Sequence, residues 1–158
     1  MAASIAVYEA LSEPGGLVLL LSPSLRQSQE LFKKILATYA AAGRPVPAES
    51  ETALTLTLGN GSRILSLPGL EKTIRGFSGV RLLLVDEASR VEDELIGGIT
   101  PMLATTNGSL IALTTPAGKI GWFYDMWIGA DDWTRVRESA LQSAHAFQKS
   151  FLLRKCDG

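Results

Sequence analysis

Arg81-Leu82-Leu83-Leu84-Val85-Asp86-Glu87-Ala88-Ser89 is an apolar run that ends abruptly in two adjacent carboxylates. Gly79 precedes it and the polar pair Ser89-Arg90 closes it, so the run is short. Its unbroken Leu/Val content predicts a strand of a parallel sheet, covered on both faces. Acids at the C-terminal tip of such a strand stand at the edge where open α/β sheets bind ligands. An acidic pair also has a plainer use, as favourable charge at the start of the next helix or as a solvated loop. The neighbouring segments decide between the two.

Upstream, Leu17-Val18-Leu19-Leu20-Leu21 is a second unbroken apolar run. Ser22-Pro23-Ser24 turns it into a segment carrying Leu25, Leu31, Phe32, Ile35, Leu36 and Tyr39, a helical pattern. Together they form a strand-to-helix unit of the doubly wound kind. Before them, Ile5, Tyr8 and Leu11 among alanines predict a helix over 1–11, which Pro14-Gly15-Gly16 stops. Gly43-Arg44-Pro45-Val46-Pro47 ends the second helix. Thr52 to Leu58 then alternates Thr and Leu, turns at Gly59-Asn60-Gly61-Ser62 and resumes at Arg63 to Leu67, which predicts a hairpin at the sheet edge with one wet face.

Between the hairpin and the acidic strand, Pro68 to Gly79 reads as a polar loop delivering Lys72 and Arg75 towards the carboxylates. Beyond that strand, Val91 to Leu103 predicts a helix. Leu110 to Leu113 predicts a buried strand ending in Thr114-Thr115-Pro116-Ala117-Gly118. The aromatic-rich segment 121–128 predicts a helix, Trp133 to Val136 a strand, and 140–154 a closing helix. No internal repeat, low-complexity tract or long linker divides the chain, so residues 1–158 are expected to form a single domain.

Composition excludes several classes. With 158 residues, 46% of them apolar, the chain can bury one ordinary core. A formal net charge of -1 gives no electrostatic footprint of a dedicated nucleic-acid binder but leaves room for a local basic strip, so overall charge says nothing about partners. The single Cys156 excludes an internal disulfide framework and a multi-cysteine zinc site, as expected of a reducing cytoplasm. His145 has no companion histidine for a metal site. The longest apolar run, Leu17 to Leu21, is too short to span a bilayer, and the expectation is a protein with no membrane association.

The acidic pair fits a specific chemistry. In nucleoside triphosphatases of the P-loop type a strand-end Asp organises magnesium, and in one branch the next residue is a Glu that orients the attacking water. Asp86 and Glu87 suit those roles. Thr114 and Thr115 are either ordinary β-formers closing a strand or two hydroxyls placed to sense a phosphate. Arg75 is either a solvated loop charge or a mobile cation for charge neutralisation. Arg26, Lys33 and Lys34 read as the wet side of an amphipathic helix. The aromatics from Trp122 to Trp127 read as core or interface rather than a base-stacking platform. The usual phosphate cradle, a Gly-rich loop with Lys-Ser/Thr, is not found in these residues: Gly118-Lys119 is followed by Ile120, and Leu113 stands where the pattern needs its first Gly. Gly59-Asn60-Gly61 also fails the dinucleotide pattern, because Ile64 stands at its third Gly.

The ordered set resembles the ATPase domain of large terminase subunits, the motors that package DNA into tailed-phage heads. The resemblance covers nearly the whole chain. It rests on Leu19 to Ser28 after the first helix, on Gly61-Ser62-Arg63-Ile64 and Thr73-Ile74-Arg75-Gly76, on Leu84-Val85-Asp86-Glu87-Ala88, and on Leu113-Thr114-Thr115-Pro116. It implies a three-layer α/β sandwich of the P-loop ATPase type with a mostly parallel sheet. Asp86 resembles the magnesium-binding Walker B aspartate and Glu87 the catalytic glutamate. Thr114-Thr115 are similar to the motif that couples hydrolysis to movement, and Arg75 to the arginine that reaches a neighbouring subunit's nucleotide. The implied cofactors are ATP and Mg2+; the implied partners are double-stranded DNA, the portal and the small terminase subunit, in a ring. The implied location is the cytoplasm of a bacterial host carrying a phage or prophage.

By the same resemblance a phosphate-binding loop would stand immediately before a helix like Ala2 to Leu11, where Met1 lies, and a nuclease domain would follow. The expectation is a shortened domain missing the P-loop strand, with a gap between the strands at 110–115 and 133–136 and little activity of its own. Two other readings accompany it: a noncatalytic remnant or interaction module, and a fragment of a helicase-like ATPase.

Overall fold

The computed structural model describes residues 1–68, 77–115, 117–129, 133–138 and 149–155. Eight strands form one sheet: β1 (Leu17–Ser22), β2 (Ala48–Glu51), β3 (Thr55–Leu58), β4 (Arg63–Pro68), β5 (Val80–Asp86), β6 (Ser109–Thr114), β7 (Thr134–Glu138) and β8 (Lys149–Lys155). Their spatial order is β2-β3-β4-β1-β5-β6-β8-β7. The centre, β4-β1-β5-β6, is parallel, and both margins are antiparallel. Helices α1 (Ala2–Ser12), α2 (Leu25–Ala41), α3 (Asp93–Ala104) and α4 (Trp122–Gly129) cover the sheet, and a 3-10 turn at Ala88–Arg90 follows β5.

The apolar runs build two cores because alternate side chains of a strand point to opposite faces. From β1, Leu17, Leu19 and Leu21 join the core under α3 and α4, with Leu95, Ile99, Leu103, Trp122 and Phe123. Val18 and Leu20 join the core under α1 and α2, with Ala6, Val7, Phe32, Ile35 and Tyr39. Every residue of β1 is buried, which is why the run carries no polar alternation. In β5 the register slips between Val80 and Leu82, so Val80 shares a face with Leu83 and Val85. Arg81, at that irregularity, donates to the Thr106 carbonyl at 2.8 Å and reaches Glu13 at 3.3 Å.

Local chemistry fixes the joints. Ser24 caps α2 by accepting from the Gln27 amide at 3.3 Å. The Gly59–Ser62 turn is tied to the end of α1: Asn60 Nδ2 donates to the Ala10 carbonyl at 3.0 Å, and Ser62 Oγ to the Glu13 carbonyl at 2.8 Å. The glycines there shape a hairpin, with Gly61 at φ 83°. Gly108 leads into β6 under tight contact, since a Cβ there would lie 2.6 Å from the Val80 carbonyl oxygen.

Three sequence expectations change. The hairpin is β3–β4, but β2 lies outside it, so β3 is not the edge. The expected closing helix over 140–154 is instead strand at 149–155, and 139–148 lie outside the described residues. The expected gap beside β6 is filled: β8 runs antiparallel to β6 from Ser109↔Lys155 to Thr114↔Ser150 and pairs with β7 on its other side. A helix in that place would leave β6 with unpaired backbone groups, and the strand satisfies them.

Candidate active site

β5 carries Asp86 to its C-terminal tip, opposite Leu113 of β6. Glu87 follows in left-handed backbone, φ 51° and ψ 44°, a conformation costly for any residue with a Cβ. The chain thus turns sharply out of the sheet, leaving both acids half-buried at its edge. Parallel β6 brings Thr114 and Thr115 to the same edge. Thr114 is buried and clasps the turn beyond the acids: Ser89 N donates to Thr114 Oγ1 at 3.3 Å, and the two hydroxyl oxygens lie 2.7 Å apart.

A cleft of about 360 Å³ opens there, lined by Asp86, Glu87, Thr114 and Thr115 on one side and by Met1, Ala2 and Ala3 on the other. The start of α1 therefore faces the acids. Met1, the N-cap residue of α1, makes no side-chain cap hydrogen bond, and the helix dipole makes that end electropositive. Lys34 and Arg90 add two cations to the wall. Arg90 Nη1 stands 3.3 Å from Glu87 Oε2. That oxygen is buried and makes no hydrogen bond, so the contact is an ion pair with poor hydrogen-bond geometry. Both side chains are partly exposed, 67% and 38%, which makes the pair weak in energy.

The donor set suits a magnesium–nucleotide rather than a protein-only metal cage. Among the described residues no group of three or more His, Cys, Asp or Glu could hold a metal. Magnesium is commonly held by one or two carboxylates plus substrate phosphates, and the cleft offers two carboxylates, one with a buried unbonded oxygen, beside a helix N-terminus.

The structure thus brings together four of the five residues singled out by sequence: Asp86, Glu87, Thr114 and Thr115. The fifth, Arg75, lies outside the described residues, as does Lys72. Sequence reasoning missed Ser89, Arg90 and Lys34. Lys34 was legible in principle, since it stands three residues from buried Leu31 and so over the same wall. Ser89 was not, because its partners come from β6.

A second hollow of about 330 Å³ lies under α4, lined by Phe123, Tyr124 and Trp127 with Lys119, Arg137 and Ser89. Of these aromatics Phe123 is buried, as is its neighbour Trp122, and Phe123 stacks on half-buried Trp127 with centroids 6.1 Å apart.

With β5, β6 and α1 placed, comparison with known proteins is decisive for the fold. The ATPase domain of the large terminase of Thermus phage P74-26 superposes with a TM-score of 0.68 and 21% identity, over 80% of this chain and 60% of that one. The fold is that of a phage large-terminase ATPase domain. The large terminase of bacteriophage HK97 matches with a TM-score of 0.62 and 21% identity, over 80% of this chain and 28% of that protein. In sequence, the chain is 29% identical over 137 residues to the probable terminase large subunit of Enterobacteria phage P7. That match takes in 79% of this chain and 28% of the phage protein. No family model matches. The chain therefore spans 28% of the HK97 and P7 proteins and 60% of the Thermus phage ATPase domain. No helix among its described residues is long and apolar enough to cross a membrane.

Proposed function

We propose that this chain carries the acidic half of the ATP site of a DNA-packaging motor. The observation that carries the reading is the meeting of Asp86 and Glu87 with the uncapped start of α1 and the Thr114–Thr115 end of β6 in one cleft. A bound magnesium–nucleotide would supply the reacting phosphate, with the metal offsetting its charge. Asp86 would hold the metal, and Glu87 would orient the attacking water. Thr114 and Thr115 would answer to the presence or loss of the terminal phosphate, and the first N–H groups of α1 would be available to the phosphates. Arg75 serves as the cation that reaches a nucleotide on a neighbouring subunit.

The reading extends to the whole motor. Double-stranded DNA is the cargo, the portal and the small terminase subunit are the partners, a ring is the assembly, and the host cytoplasm is the compartment. These rest on the resemblance to large terminases. The 158 residues contain no Gly-rich Lys-Ser/Thr loop, so by themselves they bind nucleotide weakly and turn it over little. Steady-state phosphate release with Mg-ATP tests this. The expected rate is near background, and a magnesium-dependent rate abolished by Glu87→Gln would overturn the low-activity expectation while upholding the assigned roles.

A further inference from the structure

Glu87 sits in left-handed backbone, at φ 51°, in a position where a glycine would be at ease. Something must hold it. Its own side chain does not, because the Arg90 contact lacks hydrogen-bond geometry. The Arg90 N–H donates to the Glu87 carbonyl at 2.9 Å, which closes the 3-10 turn without anchoring it to the sheet. The anchor is Ser89. Its amide donates to Thr114 Oγ1 at 3.3 Å, its hydroxyl lies 2.7 Å from the same oxygen, and that hydroxyl also reaches the Thr115 carbonyl at 3.3 Å. Thr114 Oγ1 is itself 3.0 Å from the Thr115 carbonyl, so two hydroxyls, one amide and one carbonyl cluster between the two strand ends, the two hydroxyl protons serving two of the three hydroxyl contacts at a time.

We infer that Ser89 is the positioning residue of the site: its hydroxyl latches the turn to β6 and thereby fixes the left-handed conformation that aims Glu87 into the cleft. The inference deepens the ATPase reading and rests on it for the word "site", although the latch itself is a conformational claim. Strain confined to a residue at a functional edge, and over-determined by neighbours, is how such sites keep a side chain in one pose. It also makes Thr114 the element through which events at β6 reach Glu87, since any displacement of its hydroxyl removes two of the contacts of Ser89.

Nuclear magnetic resonance on the intact chain tests this without turnover. A positive φ brings a residue's own Hα close to its amide proton, which gives Glu87 a strong intraresidue cross-peak. The expected result is that Ser89→Ala and Thr114→Val abolish that peak while cross-strand contacts between Leu84 and Ile111 persist, and that Ser89→Thr restores it. Persistence of the peak in Ser89→Ala would overturn the inference. A melting-temperature cycle covers the case in which Ser89→Ala is too unstable to assign. Glycine needs no latch, so Ser89→Ala should cost less in the Glu87→Gly background than in the natural one, and equal losses would also overturn the inference. A failed ATPase reading shows itself separately, as a nucleotide response that does not depend on Asp86.

Discussion

At the scale of single residues, Glu87 concentrates the conflict between folding and chemistry. Left-handed backbone costs a residue with a Cβ roughly 1–2 kcal/mol, and the turn at 87 adopts it all the same. Replacing Glu87 by glycine removes that penalty together with the carboxylate. Glu87→Gly should therefore raise stability to denaturant by up to about 1 kcal/mol, the strain relieved less the added freedom of the unfolded chain, while leaving the Asp86-dependent response to magnesium–nucleotide in place. A loss of stability in urea titration would mean that the carboxylate, or its contact with Arg90, contributes more than the backbone strain costs. Asp86 and Glu87 were legible as a pair because the ordered segments around them, above all the polar end of 110–115, tipped the reading away from a mere helix start or solvated loop. Ser89 was not legible, since a serine after a strand looks like any turn residue until β6 brings Thr114 against it.

At the scale of elements, the sheet centre follows directly from sequence. The unbroken apolar runs at 17–21 and 82–85 admit only strands covered on both faces, and α1 and α2 announce themselves by spacing and by the stops at Pro14-Gly15 and Gly43. The join between α3 and β6 adds a constraint that no pattern displays. Gly108 lies so close to β5 that a methyl group would meet the Val80 carbonyl oxygen at 2.6 Å and a Leu103 methyl carbon at 2.9 Å. Gly108→Ala must displace β6 or the end of α3, at a cost of about 1–3 kcal/mol. Because β6 bears Thr114, the same substitution should disturb the Ser89 contacts. Thermal melting checks the first effect, and an unchanged melting temperature would show that the strand shifts freely.

For the whole molecule, the least legible feature is the far side of the sheet. The segment 149–155 has Phe151, Leu152 and Leu153 in a setting of Lys and Arg, which suits an amphipathic helix and a strand alike. The choice falls to β6, whose outer edge needs a partner along its full length, and β8 supplies it from Ser109 to Thr114. Position in the sheet then predicts amide exchange. β8 is hydrogen-bonded on both sides, whereas β2 is a short edge strand with exposed side chains. Amides of Ser150 to Arg154 should exchange far more slowly than those of Glu49 to Glu51. Comparable rates in the two strands would contradict the sheet order.

The proposed function requires the cleft between Asp86-Glu87, Thr114-Thr115 and the start of α1 to receive magnesium–nucleotide. Titration of the isotope-labelled chain with Mg-ATP into the millimolar range, followed through backbone amide resonances, tests it even where binding is weak. Saturable shifts are expected at residues 2–4, 86–89 and 114–115, dependent on magnesium and lost in Asp86→Ala. Shifts that survive Asp86→Ala, that gather elsewhere, or that never emerge would contradict it.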